Sequence, residues 1–370
     1  MSDQSVRHSD SQSSPKQSAS KQSASKQSAP KRSASKQSYA KQGNSVWRHI
    51  VKTVGIENIG LSLLLAVVFI GFSLASPRFL SVANFESMAF QLPELGILTL
   101  AMLLPILTGG LNLAITFSAN FCGLTLAWIL TQFGGTDASV AAFIGGCLVA
   151  LLVGALSGYM MGAVIAYTNA HPILVSLAMM IFLRGLGEFL TRGKDISGFP
   201  DFIQPLGHGS VLGIPIPLLI MLSVFLICYV FLAKSRLGLI TYLMGSNIEA
   251  VRYSGIHTKR ALTLVYTLSG VLCAVAGIVM MLRFNSVRVG HGESYLLITV
   301  LACFLGGVDP FGGFGRVVSV LLALVILQAL SSGLNLIGIN QHFATAAWGL
   351  FLIAVMVIRW GWIRFYRKKV

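Results

Sequence analysis

The residues of this sequence that could do chemistry are few, and most of them stand inside long apolar runs. Glu94 follows Pro93 about halfway along one such run. Arg184 and Glu188 share another, at a four-residue spacing that puts both side chains on one helical face within pairing reach. Arg184 lies about sixteen ångströms into its run, too deep to reach an interface easily, so it should pair with Glu188 or face water. Asn112, Thr116 and Asn120 are spaced at helical intervals, with Ser118 slightly aside, and form one neutral polar stripe on an otherwise apolar helix. An ionisable group at membrane depth marks a solute path or ties helices together. A neutral stripe offers the weak, replaceable hydrogen bonds that a hydroxylated solute needs, or serves as such a tie. The side chains leave both readings open for Glu94 and for the stripe.

Reactive chemistry is otherwise absent. There is no G-x-x-x-x-G-K-[ST] loop to cradle nucleotide phosphates, no paired His/Glu metal motif and no G-x-S-x-G nucleophile turn. The five cysteines all fall in apolar runs and none forms a C-x-x-C pair, so they read as small buried hydrophobes. No catalytic residue, metal site or cofactor is expected. Transport, if that is the function, must draw on an ion gradient or on a separate ATPase.

The elements that position these residues follow from composition. Hydrophobic residues make up 55% of the 370-residue chain and charged residues only 11%, too few to cover a water-soluble globule. Apolar runs occur at about 59–75, 83–107, 112–132, 141–166, 173–191, 213–233, 261–282, 295–307, 316–337 and 343–359. Most are near the length of about 20 residues that crosses a hydrocarbon core as a helix. The expected fold is therefore an all-α integral membrane protein of about ten transmembrane helices. The net charge of +15 lies mostly in patches at 1–52, 234–260 and 359–369. Basic segments are retained in the cytoplasm, so both termini and the 234–260 connection are expected there, and 192–212 and 283–294 outside. This distribution speaks for membrane orientation and against nucleic acid as a partner.

Residues 1–45 form a separate region. KQSAS at 16–20 recurs at 21–25 and then, with small changes, up to 40, a polar repeat with no apolar face to bury. It is expected to be a disordered basic cytoplasmic tail, with weak attraction to lipid headgroups as its one functional reading. The membrane domain is assigned to 46–370.

Several runs are interrupted. The second holds Pro93 and Pro105 and meets Gly109-Gly110, and the eighth ends at Gly306-Gly307, followed by Gly312-Gly313. Broken helices at membrane depth line cavities or lie within protein, and small residues also let helices pack closely. The break at Gly109-Gly110 is expected near mid-bilayer. The two glycine pairs lie 197 residues apart, and a shift of that size lays the first run over the seventh, as an old parallel duplication would.

The 234–260 connection carries Lys234, Arg236, Arg252, Lys259 and Arg260 against one acid, Glu249. Within it Ser246-Asn247-Ile248-Glu249 reads as a capping box, and Gly255 can close a helix in the left-handed conformation. The pattern predicts a short helix over 247–254. A helix of two turns needs something to pack against, either the protein's own membrane face or a cytoplasmic partner.

This stretch, Tyr242-Leu243-Met244-Gly245-Ser246-Asn247-Ile248-Glu249-Ala250-Val251-Arg252-Tyr253-Ser254-Gly255-Ile256, resembles the G-x-N-x-x-A-A-R-x-S-G-I loop of ribose-type ABC importer permeases. The likeness continues through Tyr266, Ser269-Gly270 and Ala276-Gly277, the two later glycine pairs with Phe314-Gly315, and Gly333-Leu334-Asn335-Leu336. In the first half Leu107-Thr108-Gly109-Gly110-Leu111-Asn112-Leu113 looks like the family's T-G-G-I-D-L-S. His171-Pro172-Ile173-Leu174-Val175-Ser176-Leu177 and Arg184-Gly185 look like its P-F-I-V-T-L…R-G. The resemblance covers about 46–358. It implies a bacterial inner-membrane permease that moves a monosaccharide or similar small polyol, with no enzymatic activity of its own. It also implies cytoplasmic ABC ATPase subunits, a periplasmic substrate-binding protein, and a second copy or sister permease forming a dimer. Asn247, Glu249, Ala250, Arg252, Ser254 and Gly255 would then belong to a coupling helix on the ATPase. Asn112, Thr116, Asn120 and Glu94 would line the path, with helix breaks at Gly109, Gly110, Gly306 and Gly307. Two departures remove an acid near that path: Asn112 stands where the family usually has Asp, and Leu296 where it often has Glu. A gradient-driven secondary carrier is the alternative reading.

Overall fold

The computed structural model describes residues 56–367, with side chains undescribed at 56–57, 341–342, 345 and 358–367. The tail expected over 1–45 lies outside the described residues. Each of the ten apolar runs is a helix: α1 (Ile56–Ala75), α2 (Val82–Leu107), α3 (Ile115–Gln132), α4 (Val140–Thr168), α5 (Pro172–Thr191), α7 (Ile216–Lys234), α9 (Thr258–Phe284), α10 (Tyr295–Leu305), α11 (Val317–Leu336) and α12 (Gln341–Arg367). Two more helices, α6 (Gln204–His208) and α8 (Arg236–Tyr253), stand in connections. Among the described residues seven helices are long and apolar enough to cross a membrane: α1, α2, α4, α5, α7, α9 and α11. The protein is an all-α, multi-pass membrane protein. α10, with 11 residues, spans only about 16 Å, half a hydrocarbon core.

Local signals set the helix ends. Ser81 and Ser139 accept from the backbone N–H groups of Asn84 and Ala142 and so cap α2 and α4. Pro172 opens α5, where its missing N–H costs nothing.

The core is built around α9 and α2. Of the apolar window of α2, 83% is buried, against 22% for α4 and 17% for α5, so the latter two present most of their surface outward. α9 packs against α2, α3 and α4. Its approach to α4 is close because Gly154, Gly158 and Gly162 repeat every fourth residue along one face. A Cβ on any of them would strike the α9 backbone at Gly270, Tyr266 or Thr263.

α9 is about 40 Å long and separates two ends of the molecule. At its start lies α8; at its finish, the short strand Ser286–Val287 pairs antiparallel with Ile196–Ser197, joining the 192–212 and 283–294 connections. α2 differs from expectation. It passes through both Pro93 and Pro105 without breaking and leaves the helix only at Thr108; the carbonyl that Pro105 frees, Ala101 O, accepts from Ser269 Oγ at 2.6 Å. The Gly109-Gly110 break therefore sits at the α8 end, not midway through the span.

Candidate functional site

α8 starts directly after α7, with Ser235 Oγ accepting from Gly238 N at 2.9 Å. The backbone stays helical through Ser246 and breaks at Asn247 (φ −161°, ψ 98°). Asn247 Oδ1 accepts from Ala250 N at 3.0 Å and starts a second helical piece. Gly255 (φ 79°) closes it, and Ser254 turns back by donating Oγ–H to Ala250 O. The cap is thus Asn247, one residue later than the capping box predicts. Ser246 is held in the preceding helical piece against Gly313, which leaves its neighbour to take the extended conformation that a cap needs. Glu249 moves with it to the second helical position.

Of this outer piece only Val251 is buried, packed with Met244 and Ala261. Ile248, Glu249, Ala250, Arg252 and Tyr253 are exposed, Tyr253 to 88%. Behind it a cleft of about 610 Å³, lined by Gly109, Gly110, Ile248, Arg252, Lys259 and Arg260 among others, separates the helix from the ends of α4 and α5. The helix is pinned at one residue and otherwise stands away from the membrane body.

The inner piece is anchored differently. A Cβ on Gly245 would lie 2.0 Å from Leu107 O and 2.2 Å from Gly313 N. One on Gly312 (φ 92°) would lie 2.5 Å from Gly109 N and 2.8 Å from the Gly245 Cα. Three chain segments distant in sequence thus meet backbone to backbone. Gly313 N donates to Leu107 O at 3.0 Å across this knot, and Tyr242 donates its hydroxyl to Gly315 O at 3.0 Å. Burial raises the Tyr242 phenol above its ordinary range, against the lowering pull of Arg316, and keeps it a neutral donor. Spacing alone singles out the glycine pairs but not Gly245 or Tyr242. Gly245 reads as ordinary helix until its two neighbours are seen. Gly306 and Gly307 lie elsewhere: they end α10, with Gly306 against the backbone of Val320 on α11.

The polar stripe of α3 faces inward. Asn112 donates to Ser269 Oγ at 3.0 Å and accepts from Ala114 N, while Ser269 donates on to Ala101 O. Asn120 donates to Val289 O and His291 O in the 285–294 connection. Thr116 Oγ1 and Ser118 Oγ are buried without a partner. Glu94, fully buried, is ion-paired with Arg283 at the end of α9 and accepts from the Tyr295 hydroxyl at 2.5 Å. Arg283 went unread in the sequence; its signal is a lone cation closing an otherwise apolar run. Arg184 pairs with Glu188 at 3.0 Å, as their spacing predicts, and with Glu293 at 3.4 Å, all three side chains about half exposed. No group of His, Cys, Asp and Glu among the described residues could hold a metal ion.

Comparison with known proteins bears on this arrangement. The family model described as branched-chain amino acid transport system / permease component matches residues 84–359. The ribose import permease protein RbsC is 33% identical in Escherichia coli K12 and 34% in Bacillus subtilis 168, in each case over 81% of this chain and 91% of the relative. The autoinducer 2 import system permease protein LsrD of Photorhabdus laumondii is 30% identical over 81% of this chain and 90% of the relative. No solved structure matches. With that model and those identities running along most of its length, the chain belongs to the branched-chain amino acid transport system / permease component family and is a permease subunit of an import system.

Proposed function

We propose that this permease carries a monosaccharide or similar small polyol across the bacterial inner membrane, handed over by a periplasmic binding protein and driven by cytoplasmic ATPase subunits. The observation that carries the reading is the outer piece of α8, a capped helix with one buried residue, held on a knot of backbone contacts. Such an element transmits force from a partner seated on it into α2 and the segment after α10. Asn247, Glu249, Ala250, Arg252, Ser254 and Gly255 are the residues of that contact. In this reading the α8 end and both termini are cytoplasmic, all ten apolar runs lie within the membrane, and two permeases pair as a dimer.

In the structure the stripe acts as a tie, with Asn112 and Asn120 both engaged. Cargo reaches Asn112, Thr116 and Asn120 only when α3 and α9 part. Glu94 stands beside that route. The experiment is uptake of labelled D-ribose, D-galactose and myo-inositol into cells supplied with the ATPase and binding protein. Uptake should stop when ATP is depleted with the proton gradient kept intact. Uptake that survives ATP depletion and collapses with the gradient identifies a secondary carrier and overturns the proposal.

A further inference from the structure

At the end of the molecule away from α8, α2 and α11 each turn a polar face to the other. Asn84, Ser87 and Gln91 recur along α2, and Gln328, Ser331, Ser332 and Asn335 along α11, both at helical spacing. Two cross-links join them: Ser332 donates to Asn84 Oδ1 at 2.5 Å, and Gln328 to Gln91 Oε1 at 3.2 Å. Two hollows lie beside these links, the first also bounded by α10 and α12. A hollow of about 170 Å³ is lined by Gln91, Gln328, Ser331 and Asn335, with Tyr295 and Trp348 as aromatic walls. A second, of about 310 Å³, shares Gln91, Ser331 and Asn335 and continues past Ser87 to Arg78 and Ser81 at the molecular surface.

The chemistry of this lining is specific. Its polar side chains, Arg78 at the mouth excepted, are neutral amides and hydroxyls, and Ser331 and Asn335 have no side-chain partner among the described residues. Tyr295 is fixed as a wall because its hydroxyl donates a hydrogen bond to Glu94, itself paired with Arg283. Neutral donors and acceptors beside flat aromatic faces match a molecule with hydroxyls on one side and C–H groups on the other. Leu95, Ile298, Leu327, Ile339 and Ala344 complete the smaller hollow and would meet the C–H side, while no charged group among the described residues lines it to hold an anion. A pocket of this size, open to one end, holds one small molecule with its hydration partly replaced.

We propose that the α2–α11 hollow is an entry subsite for a neutral polyhydroxylated solute, with Gln91, Gln328, Ser331 and Asn335 as its hydrogen-bonding groups and Tyr295 and Trp348 as its stacking walls. The proposal rests on the import reading above and names where the cargo first enters the permease. Its test uses the full chain alone in lipid nanodiscs, with the five native cysteines replaced by alanine and Ser331→Cys added. Ser87→Cys, on the facing helix, is read separately in case the first variant does not fold.

A water-soluble methanethiosulfonate reagent should label both positions. About 10 mM D-ribose, D-galactose or myo-inositol, a concentration that fills a site of millimolar affinity, should slow labelling at least about threefold. L-Leucine at the same concentration should not. The proposal is overturned by failure to label at both positions, by labelling that none of the three polyols slows, or by equal protection from leucine. No ATPase is present, so protection without ATP-driven uptake would sink the import reading and leave the subsite standing. ATP-driven uptake without protection would do the reverse.

Discussion

Replacing Gly245 by alanine tests whether the backbone knot beneath α8 carries the coupling. The new methyl would sit 2.0 Å from Leu107 O, 2.2 Å from Gly313 N and 2.8 Å from Gly312 C. All three are main-chain atoms, so no side chain can swing aside. Ordinary contact at about 3.5 Å requires the segments to separate by more than an ångström. Overpacking of that kind costs about 1–3 kcal/mol. The Gly313 N–Leu107 O hydrogen bond would stretch beyond use, adding about 1 kcal/mol. A total of about 2–4 kcal/mol corresponds to a fall of roughly 3–6 °C in the thermal transition of a domain this large. The assay is the thermal transition of the purified permease, beside substrate-stimulated ATP hydrolysis in the reconstituted transporter. Gly338→Ala, in the connection after α11, is the control, since its Cβ meets nothing within 4 Å and its positive φ alone costs about 1–2 kcal/mol. Gly245→Ala should lose most of its stimulated hydrolysis and Gly338→Ala much less. Wild-type stability and stimulation in Gly245→Ala would refute the role assigned to the knot.

Four further outcomes are expected. Ile248→Asp with Tyr253→Asp, both on exposed positions, should leave the thermal transition within about 1 °C and cut stimulated ATP hydrolysis at least tenfold; intact stimulation removes the docking role. Arg283→Met strands a buried carboxylate at a cost of about 3–5 kcal/mol, so the purified variant should melt well below Arg283→Met combined with Glu94→Gln; equal transitions would show that the pair is unimportant. Cysteine placed singly at 112, 116 and 120 in a cysteine-free background should react with a water-soluble reagent in some states of the ATP cycle. Silence in all of them makes the stripe a tie alone. Deleting residues 2–44 should leave uptake within about twofold of the full chain, because the KQSAS repeat offers no apolar face to bind anything tightly; loss of uptake at normal membrane levels would refute this.

Much of the architecture was legible because lipid imposes one strong rule, that the backbone satisfy itself within helices. The ten apolar runs coincide with helices within three residues, except that α12 runs eight residues further to Arg367, and the Arg184–Glu188 pair follows from spacing alone. What escaped depended on contacts between distant segments. Ser246 reads as a cap because S-x-x-E is a local pattern, but the segment around Gly313 holds Ser246 in the helix and moves the cap to Asn247. The Gly109-Gly110 pair reads as a break near mid-bilayer, yet α2 runs through Pro93 and Pro105 to Leu107 and the pair follows its end, with Gly109 against Gly312. The facing polar stripes of α2 and α11 were unread for a similar reason. Each alone is a handful of Ser, Asn and Gln scattered in an apolar run, and only their apposition makes a cavity.

The knot of Gly109, Gly245 and Gly312 also bears on how related transporters keep apart within one cell. Main-chain contacts fix where the outer piece of α8 stands, while its exposed side chains at 248, 249, 252 and 253 answer to nothing in the fold. Under the proposed docking, drift at those four positions leaves the joint untouched, while an opposed charge there disfavours a foreign ATPase. On that reading, paralogous importers share one mechanical linkage and still acquire private partners.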